Sequence, residues 1–274
     1  MRAGLALRRG HPPAHQVSRP AWRTALSLFT VIPVGGDSEL AAGDGARAVR
    51  WLPAVGLLLG LAGACVVLAV GAVNASGPGR ALGAALAVAL IALLTGGLHL
   101  DGLADTADGL GSRRSPAQAL DIMRRSDIGP MGVATLVLML LIQVMAIAAI
   151  PRLPLAAAAL VLAEATGRVS VVVATASPAA RPGGFGALVA GRTTTLTRAL
   201  AVSALACAVV AAGLATGDPG LAARGLITAV IGLVTGTLLQ TIARRRLGGM
   251  TGDVFGAILE LSATAVLVAA ALVA

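Results

Sequence analysis

The chain has 274 residues, of which 57% are hydrophobic and only 12% charged, with a formal net charge of +9; its mean hydropathy is +0.90. A soluble domain carries roughly a quarter charged residues, so these numbers exclude an ordinary water-soluble enzyme and indicate an integral membrane protein. The 21 basic residues are all Arg and lie scattered between apolar runs, which argues against nucleic acid as a partner and for membrane lipid with anionic headgroups.

In chain order, residues 1–20 are basic and lack the apolar stretch of a secretory signal; they are expected to form a flexible segment ahead of a single transmembrane catalytic domain over 21–274. The run "AWRTALSLFTVIPV" (21–34) is closed by Pro33. It falls short of the roughly 20 apolar residues a spanning helix needs, so an interfacial or re-entrant helix is expected. Seven later runs are long enough, at about 51–73, 81–98, 129–150, 154–175, 196–215, 221–243 and 254–274. The expected fold class is all-α: a polytopic bundle of about seven transmembrane helices plus short interfacial helices.

The connections alternate between Arg-rich and Arg-poor. After the basic N-terminal region come Arg80 alone, then Arg113, Arg114, Arg124 and Arg125, then Arg152 alone, then Arg181, Arg192 and Arg198, then Arg224 alone, then Arg244, Arg245 and Arg246. Under the positive-inside rule this alternation places the N-terminus, the 99–128 connection and the 244–253 connection on the cytoplasmic side. Cys65 and Cys207 each fall inside an apolar run without metal-like spacing and are read as small core residues.

The stretch "GGLHLDGLADTADGLG" (96–111) concentrates Asp101, Asp105 and Asp108 in a chain with 12 acidic residues. Their i, i+4, i+7 spacing puts them on one face of a helix. If the second span runs on past residue 98, the three carboxylates form a stripe at its C-terminal end. That end is unfavourable for anions, and the neighbours repel by a few tenths of a kcal/mol per pair. A divalent cation such as Mg²⁺, which takes carboxylate oxygens and leaves positions for substrate phosphate, reverses this. A solvated acidic loop is the competing reading, though Leu98, Leu100, Leu103 and Leu110 between the acids favour a half-buried helix. His99 is a candidate general base or metal ligand, or a hydrogen-bonded interfacial histidine. Glycines 96, 97, 102, 109 and 111 are expected to let a phosphate ligand approach the backbone.

The next stretch, "SPAQALDIMRRSDIGPMG", reads as a short amphipathic helix with Ser115 as N-cap and Pro116 at its first position. Ala119, Leu120 and Met123 form its apolar face. Arg124, Arg125 and Ser126 follow as candidate phosphate ligands or as markers of the cytoplasmic side. Glu164 and Arg168 lie one turn apart inside a span, as a self-neutralising pair or as functional groups. Thr251 and Asp253 open the last span, as caps or, with Gly248 and Gly249, as a second phosphate platform. Glu260 is seven residues further, about 10 Å along the same face. Arg47 and Arg50 precede Trp51, either to anchor the span or to reach a phosphate.

"RAVRWLPAVG" (47–56), "LTGGLHLDGLADTADGLG" (94–111), "ALDIMRRSDIGPMGV" (119–133) and "RRRLGGMTGDVFGA" (244–257) together resemble the cobalamin synthase family, the adenosylcobinamide-GDP ribazoletransferases. The resemblance implies a Mg²⁺-dependent, multi-pass enzyme of the bacterial cytoplasmic (inner) membrane, compatible with a homo-oligomer. It would join α-ribazole or α-ribazole 5′-phosphate to adenosylcobinamide-GDP, releasing GMP and forming adenosylcobalamin or its 5′-phosphate. The expected nucleophile is the α-ribazole 5′-hydroxyl or an oxygen of its 5′-phosphate. By position, Asp101, Asp105 and Asp108 match the family's acidic motif and are the expected metal ligands and catalytic groups, with His99. Arg47, Arg50, Arg124, Arg125, Ser126, Arg168, Gly249, Thr251 and Asp253 are the expected substrate contacts. Arg125 stands where members often carry an acidic residue. A CDP-alcohol phosphotransferase is a rival, but its Asp-Gly/Ala-Arg pattern is missing here; a small transporter is another, without the broken helices in two halves that it calls for.

Overall fold

A computed structural model describes residues 20–34 and 43–274. Of the N-terminal segment expected to be flexible, residues 1–19 lie outside the described residues. The described chain folds into twelve helices: α1 (Ala21–Phe29), α2 (Asp44–Val49), α3 (Leu52–Val73), α4 (Gly77–Leu94), α5 (Leu98–Gly111), α6 (Pro116–Ile122), α7 (Pro130–Ala149), α8 (Leu153–Ala174), α9 (Gly184–Val189), α10 (Thr195–Thr216), α11 (Pro219–Leu247) and α12 (Gly252–Val273). Seven of them, α3, α4, α7, α8, α10, α11 and α12, are long and apolar enough to cross a bilayer, and each coincides with an expected run. Helix α1, with nine residues, is too short to span.

The bundle is organised around α8, which packs against α3, α12, α11 and α10. Its sequence is apolar nearly all round, as a helix enclosed by others must be, and even its Thr166, Gly167 and Ser170 are buried. The neighbours approach through small residues, which is how spans gain van der Waals contact when lipid already solvates their apolar surface. A Cβ on Gly60 of α3 would lie 2.7 Å from Val161 Cα, and one on Gly232 of α11 would lie 2.6 Å from the Val266 side chain. By contrast, only Leu205 and Gly213 of α10 are buried, and the leucines and valines exposed along α3, α7, α10 and α11 form the belt expected to face lipid. Cys65 and Cys207 belong to that exposed belt, both free, rather than to the core.

The expectation for the second span needs correcting. Helix α4 does not run on through residue 98 but stops at Leu94. Gly96 and Gly97 both adopt left-handed φ, +61° and +71°, which closes one helix and starts another without a Cβ penalty. Their amides bond back to Leu93 O and Ala92 O, and the Thr95 hydroxyl donates to Ile91 O and Ala92 O. The aspartates therefore sit on a separate helix, α5, with Asp101 in its first turn. That end carries the positive pole of the helix dipole, so the position favours an anion.

The two ends of the bundle differ. At one end Arg80 donates to the carbonyls of Ala148 and Ile150, satisfying the open C-terminus of α7. The opposite end gathers the termini of α1, α3, α8 and α12, together with α5 and the 178–190 connection, whose Ala179 forms a short parallel bridge with Met250.

Candidate active site

The gathered termini enclose a cavity of about 340 Å³. Its buried wall is apolar: Phe29 from α1, Leu52 from α3, Val171 from α8, Met250 just ahead of α12, and Phe255 and Leu259 from the first turns of α12, all at most 4% exposed. Its rim is polar, formed by Asp101, Arg181 and Asp253. Thr251 N-caps α12, accepting from Val254 N at 3.2 Å, and its hydroxyl donates to Asp253 Oδ2 at 3.1 Å. It therefore caps the helix and also fixes the rim carboxylate. Arg181 lies 3.8 Å from that same carboxylate oxygen and donates to Leu120 O at 3.3 Å, which ties the C-terminal turn of α6 to the rim.

Close packing of α5 against α12 sets the spacing of the acids. A Cβ on Gly102 would lie 2.8 Å from Asp253 O and 2.9 Å from its Cα, and one on Gly256 would lie 3.1 Å from His99 O. Gly102 thus lets two backbones meet and makes no room for a ligand, contrary to the sequence expectation. Gly109 and Gly111 likewise face Met123 and Met131. With α5 this close to α12, burial first, then the charges of Asp101, Asp253 and Asp108, push the Asp105 carboxyl up to about 6, with Arg181 opposing them. His99 is buried beneath the rim with no partner for Nδ1. Burial, then the nearby Arg168 cation, holds its imidazole down to about 3, so it is neutral at pH 7.

The other expected residues are placed as follows. Asp108 accepts from Gly129 N at 2.7 Å and from Gly132 N at 2.9 Å. It supplies from a neighbouring helix the cap that Gly129, the N-cap residue of α7, lacks a side chain to give. Arg47 pairs with Asp44 within α2, and Arg50 is exposed beyond it. Arg124, Arg125 and Ser126 occupy an exposed turn after α6, and neither arginine forms an ion pair among the described residues. Ser115 stands at the N-cap of α6 as expected, but its hydroxyl meets Gln118 Oε1 instead of a backbone amide. Arg168, 1% exposed, pairs with Glu164 inside α8. Gly249 packs on the backbone of Pro178 and Ala179. None of these residues lines the cavity.

Sequence reasoning missed Arg181, Phe29 and Phe185. The signal for the first and last was "RPGGFG" (181–186), where consecutive glycines, Gly183 and Gly184, adopt φ of +79° and +73° with open space at the Cβ position. That loop forms one side of the cavity mouth. Among the described residues no three His, Cys or acidic side chains form a ready metal cage. The rim offers hard oxygen donors that repel one another, which suits a cation whose remaining positions a phosphate ligand fills.

Comparison with known proteins agrees with this architecture. The family profile described as cobalamin-5-phosphate synthase matches residues 21–271. Proteins called adenosylcobinamide-GDP ribazoletransferase are similar along nearly their whole length. The one from Frankia casuarinae is 40% identical over 262 residues, covering 91% of this chain and 94% of its own. The one from Bradyrhizobium diazoefficiens is 40% identical over 253 residues, covering 91% and 92%, and the one from Stutzerimonas stutzeri is 39% identical over 250, covering 90% and 96%. No solved structure matches significantly. A multi-pass helix bundle matched by that profile over nearly all of its length, this chain belongs to the cobalamin-5-phosphate synthase family of transferases.

Proposed function

We propose that this protein joins α-ribazole, or α-ribazole 5′-phosphate, to adenosylcobinamide-GDP in the last assembly step of vitamin B12 synthesis. GMP leaves, and adenosylcobalamin or its 5′-phosphate forms. The observation that carries the reading is the convergence of Asp101 and Asp253 beside Arg181 at the mouth of one cavity, with Asp105 close enough to feel all three charges. A new P–O bond forms from a ribazole oxygen to the phosphorus that bears cobinamide, and the P–O bond to GMP breaks. The phosphorylated substrate gives a product that keeps its 5′-phosphate. One nucleophile serving both substrates is therefore a ribose ring hydroxyl, which corrects the 5′ oxygen expected from the sequence.

Asp101 and Asp253 are the residues that would hold Mg²⁺, and when bound the ion would neutralise charge building on the diphosphate. Arg181, with its planar fork at the rim, is placed to hold a phosphate oxygen. Asp105, titrating near 6, is suited to accept the hydroxyl proton at neutral pH. His99 is neutral and keeps the floor of the site uncharged. The end of the bundle that carries the cavity also carries Arg113, Arg114, Arg124, Arg125 and Arg244–Arg246, while Arg80, Arg152 and Arg224 mark the other. This supports an inner-membrane protein whose cavity opens to the cytoplasm.

The test follows GMP release from adenosylcobinamide-GDP by purified protein with α-ribazole and Mg²⁺. Asp101→Asn and Asp253→Asn each lower the rate about 10²–10³-fold without unfolding the protein, and EDTA stops release. Full activity in EDTA refutes the metal assignment; no release by the intact protein under any condition refutes the reaction.

A further inference from the structure

The cavity is amphipathic, and its two halves suit different parts of one ligand. Resting on the reading above, we infer that this cavity is the α-ribazole subsite: the benzimidazole ring lies on the apolar floor, and the ribose hydroxyls point to the acidic rim. Adenosylcobinamide-GDP then approaches from outside, presenting only its diphosphate.

Size is the first argument. About 340 Å³ is at the small end of ligand sites, adequate for a two-ring base with a sugar and far too small for a corrin macrocycle. Chemistry is the second, because guanine is the other base available to this reaction. Guanine carries amino, imino and carbonyl groups around its edge, each costly to bury without a partner. The floor gives few partners: Phe29, Leu52, Val171, Met250, Phe255 and Leu259 offer no side-chain hydrogen bond. His99 is the one buried ionisable side chain in the wall. Dimethylbenzimidazole has an apolar edge and a single unsubstituted ring nitrogen, which matches a wall of hydrocarbon with one imidazole.

Geometry is the third argument. The Phe29 and Phe185 rings meet edge to face, with centroids 5.4 Å apart and planes at 87°. Phe29 is 4% exposed, whereas Phe185 is only partly buried and sits in the first turn of α9 at the mouth. Two perpendicular rings offer a flat ligand one face to stack on and one edge to abut. The rim above the floor carries Asp101 and Asp253, so a base on the floor leaves its sugar among the carboxylates. That orientation brings the attacking hydroxyl to the acids by the shape of the cavity alone.

Two readouts test the assignment. Calorimetric titration of the full-length protein in lipid nanodiscs, without Mg²⁺ or adenosylcobinamide-GDP, is expected to show α-ribazole binding and no guanosine binding. In turnover, Phe185→Ala is expected to raise the KM for α-ribazole at least tenfold and to leave the KM for adenosylcobinamide-GDP within twofold. Phe185→Leu keeps the apolar bulk without the flat ring, and a smaller rise in the same KM is expected. Guanosine binding in competition with α-ribazole, or a rise confined to the KM for adenosylcobinamide-GDP, overturns the subsite while the reaction stands. No GMP release by the wild-type protein overturns the reaction itself, and absence of α-ribazole binding in calorimetry then removes the subsite as well.

Discussion

Asp101 and Asp253 meet one arginine at the rim of a cavity, with Asp105 close beside them, whereas Glu164, Arg168 and Glu260 are held by partners inside the spans. Glu164 pairs with Arg168 on the next turn of α8. Glu260 accepts from Gln143 Nε2 at 3.0 Å, and the same amide reaches Thr264 at 2.9 Å. Both groups place charge in an apolar bundle, and both drew attention in the sequence. Buried charge inside a membrane is costly unless paired; in the second group Glu164 and Arg168 cancel one another, and a neutral amide holds Glu260. The first group is left in excess negative charge at an opening. An unneutralised cluster with access to solvent marks a binding place; a neutralised one within packed helices marks structure.

Three measurements break or sharpen that contrast. The largest effect belongs to the paired group. Arg168→Leu strands the Glu164 carboxylate and costs about 3–5 kcal/mol of stability, read as a fall in the thermal unfolding midpoint in detergent. Adding Glu164→Gln returns most of it. If Arg168→Leu alone is as stable as wild type, the pair is not the neutralising element described here.

An intermediate effect comes from pH. Asp105 titrates near 6, so with ionised Asp105 required, the pH–rate profile falls below pH 6 and loses about tenfold by pH 5. Stability of the metal-free protein moves the other way. The folded-state value is raised above the unfolded one, so the folded state binds the proton more tightly. The cost of ionising Asp105 is present in full above pH 6 and is relieved as pH falls from about 6 toward 4. A profile flat to pH 5 removes Asp105 from the reaction.

The smallest effect separates Asp108 from the acids it resembles. Asp108→Ala removes the cap of α7 and lowers stability by about 1 kcal/mol, measured by denaturant or thermal unfolding. Its rate falls much less than that of Asp101→Asn. Equal kinetic losses in the two variants show that Asp108 belongs with the rim after all.

Much was legible before any coordinates. Every span announced itself, because a chain in hydrocarbon must satisfy its backbone within each helix, and length with apolarity then suffices. Thr251 as a cap and the amphipathic α6 followed from local rules of the same kind. The acidic motif and the "GGMTGD" segment were visible as places, and the resemblance named the family from them.

The roles inside those places were not visible. Asp101 and Asp108 are the same residue type on one helical face, yet one meets the cavity and the other meets two amides of α7. Gly96 and Gly97 break a helix that hydropathy alone would continue. Phe29 and the Arg181–Phe185 stretch come from two distant segments with no shared pattern, and only packing brings them to one mouth. Helix position and membrane crossing depend on near neighbours in the chain, so the sequence by itself determined them. Which carboxylate caps a neighbouring helix and which rings line a cavity depend on contacts between separate segments, from 21 residues apart for Asp108 and Gly129 to more than a hundred for Phe29 and Phe185, so only the tertiary structure decided them.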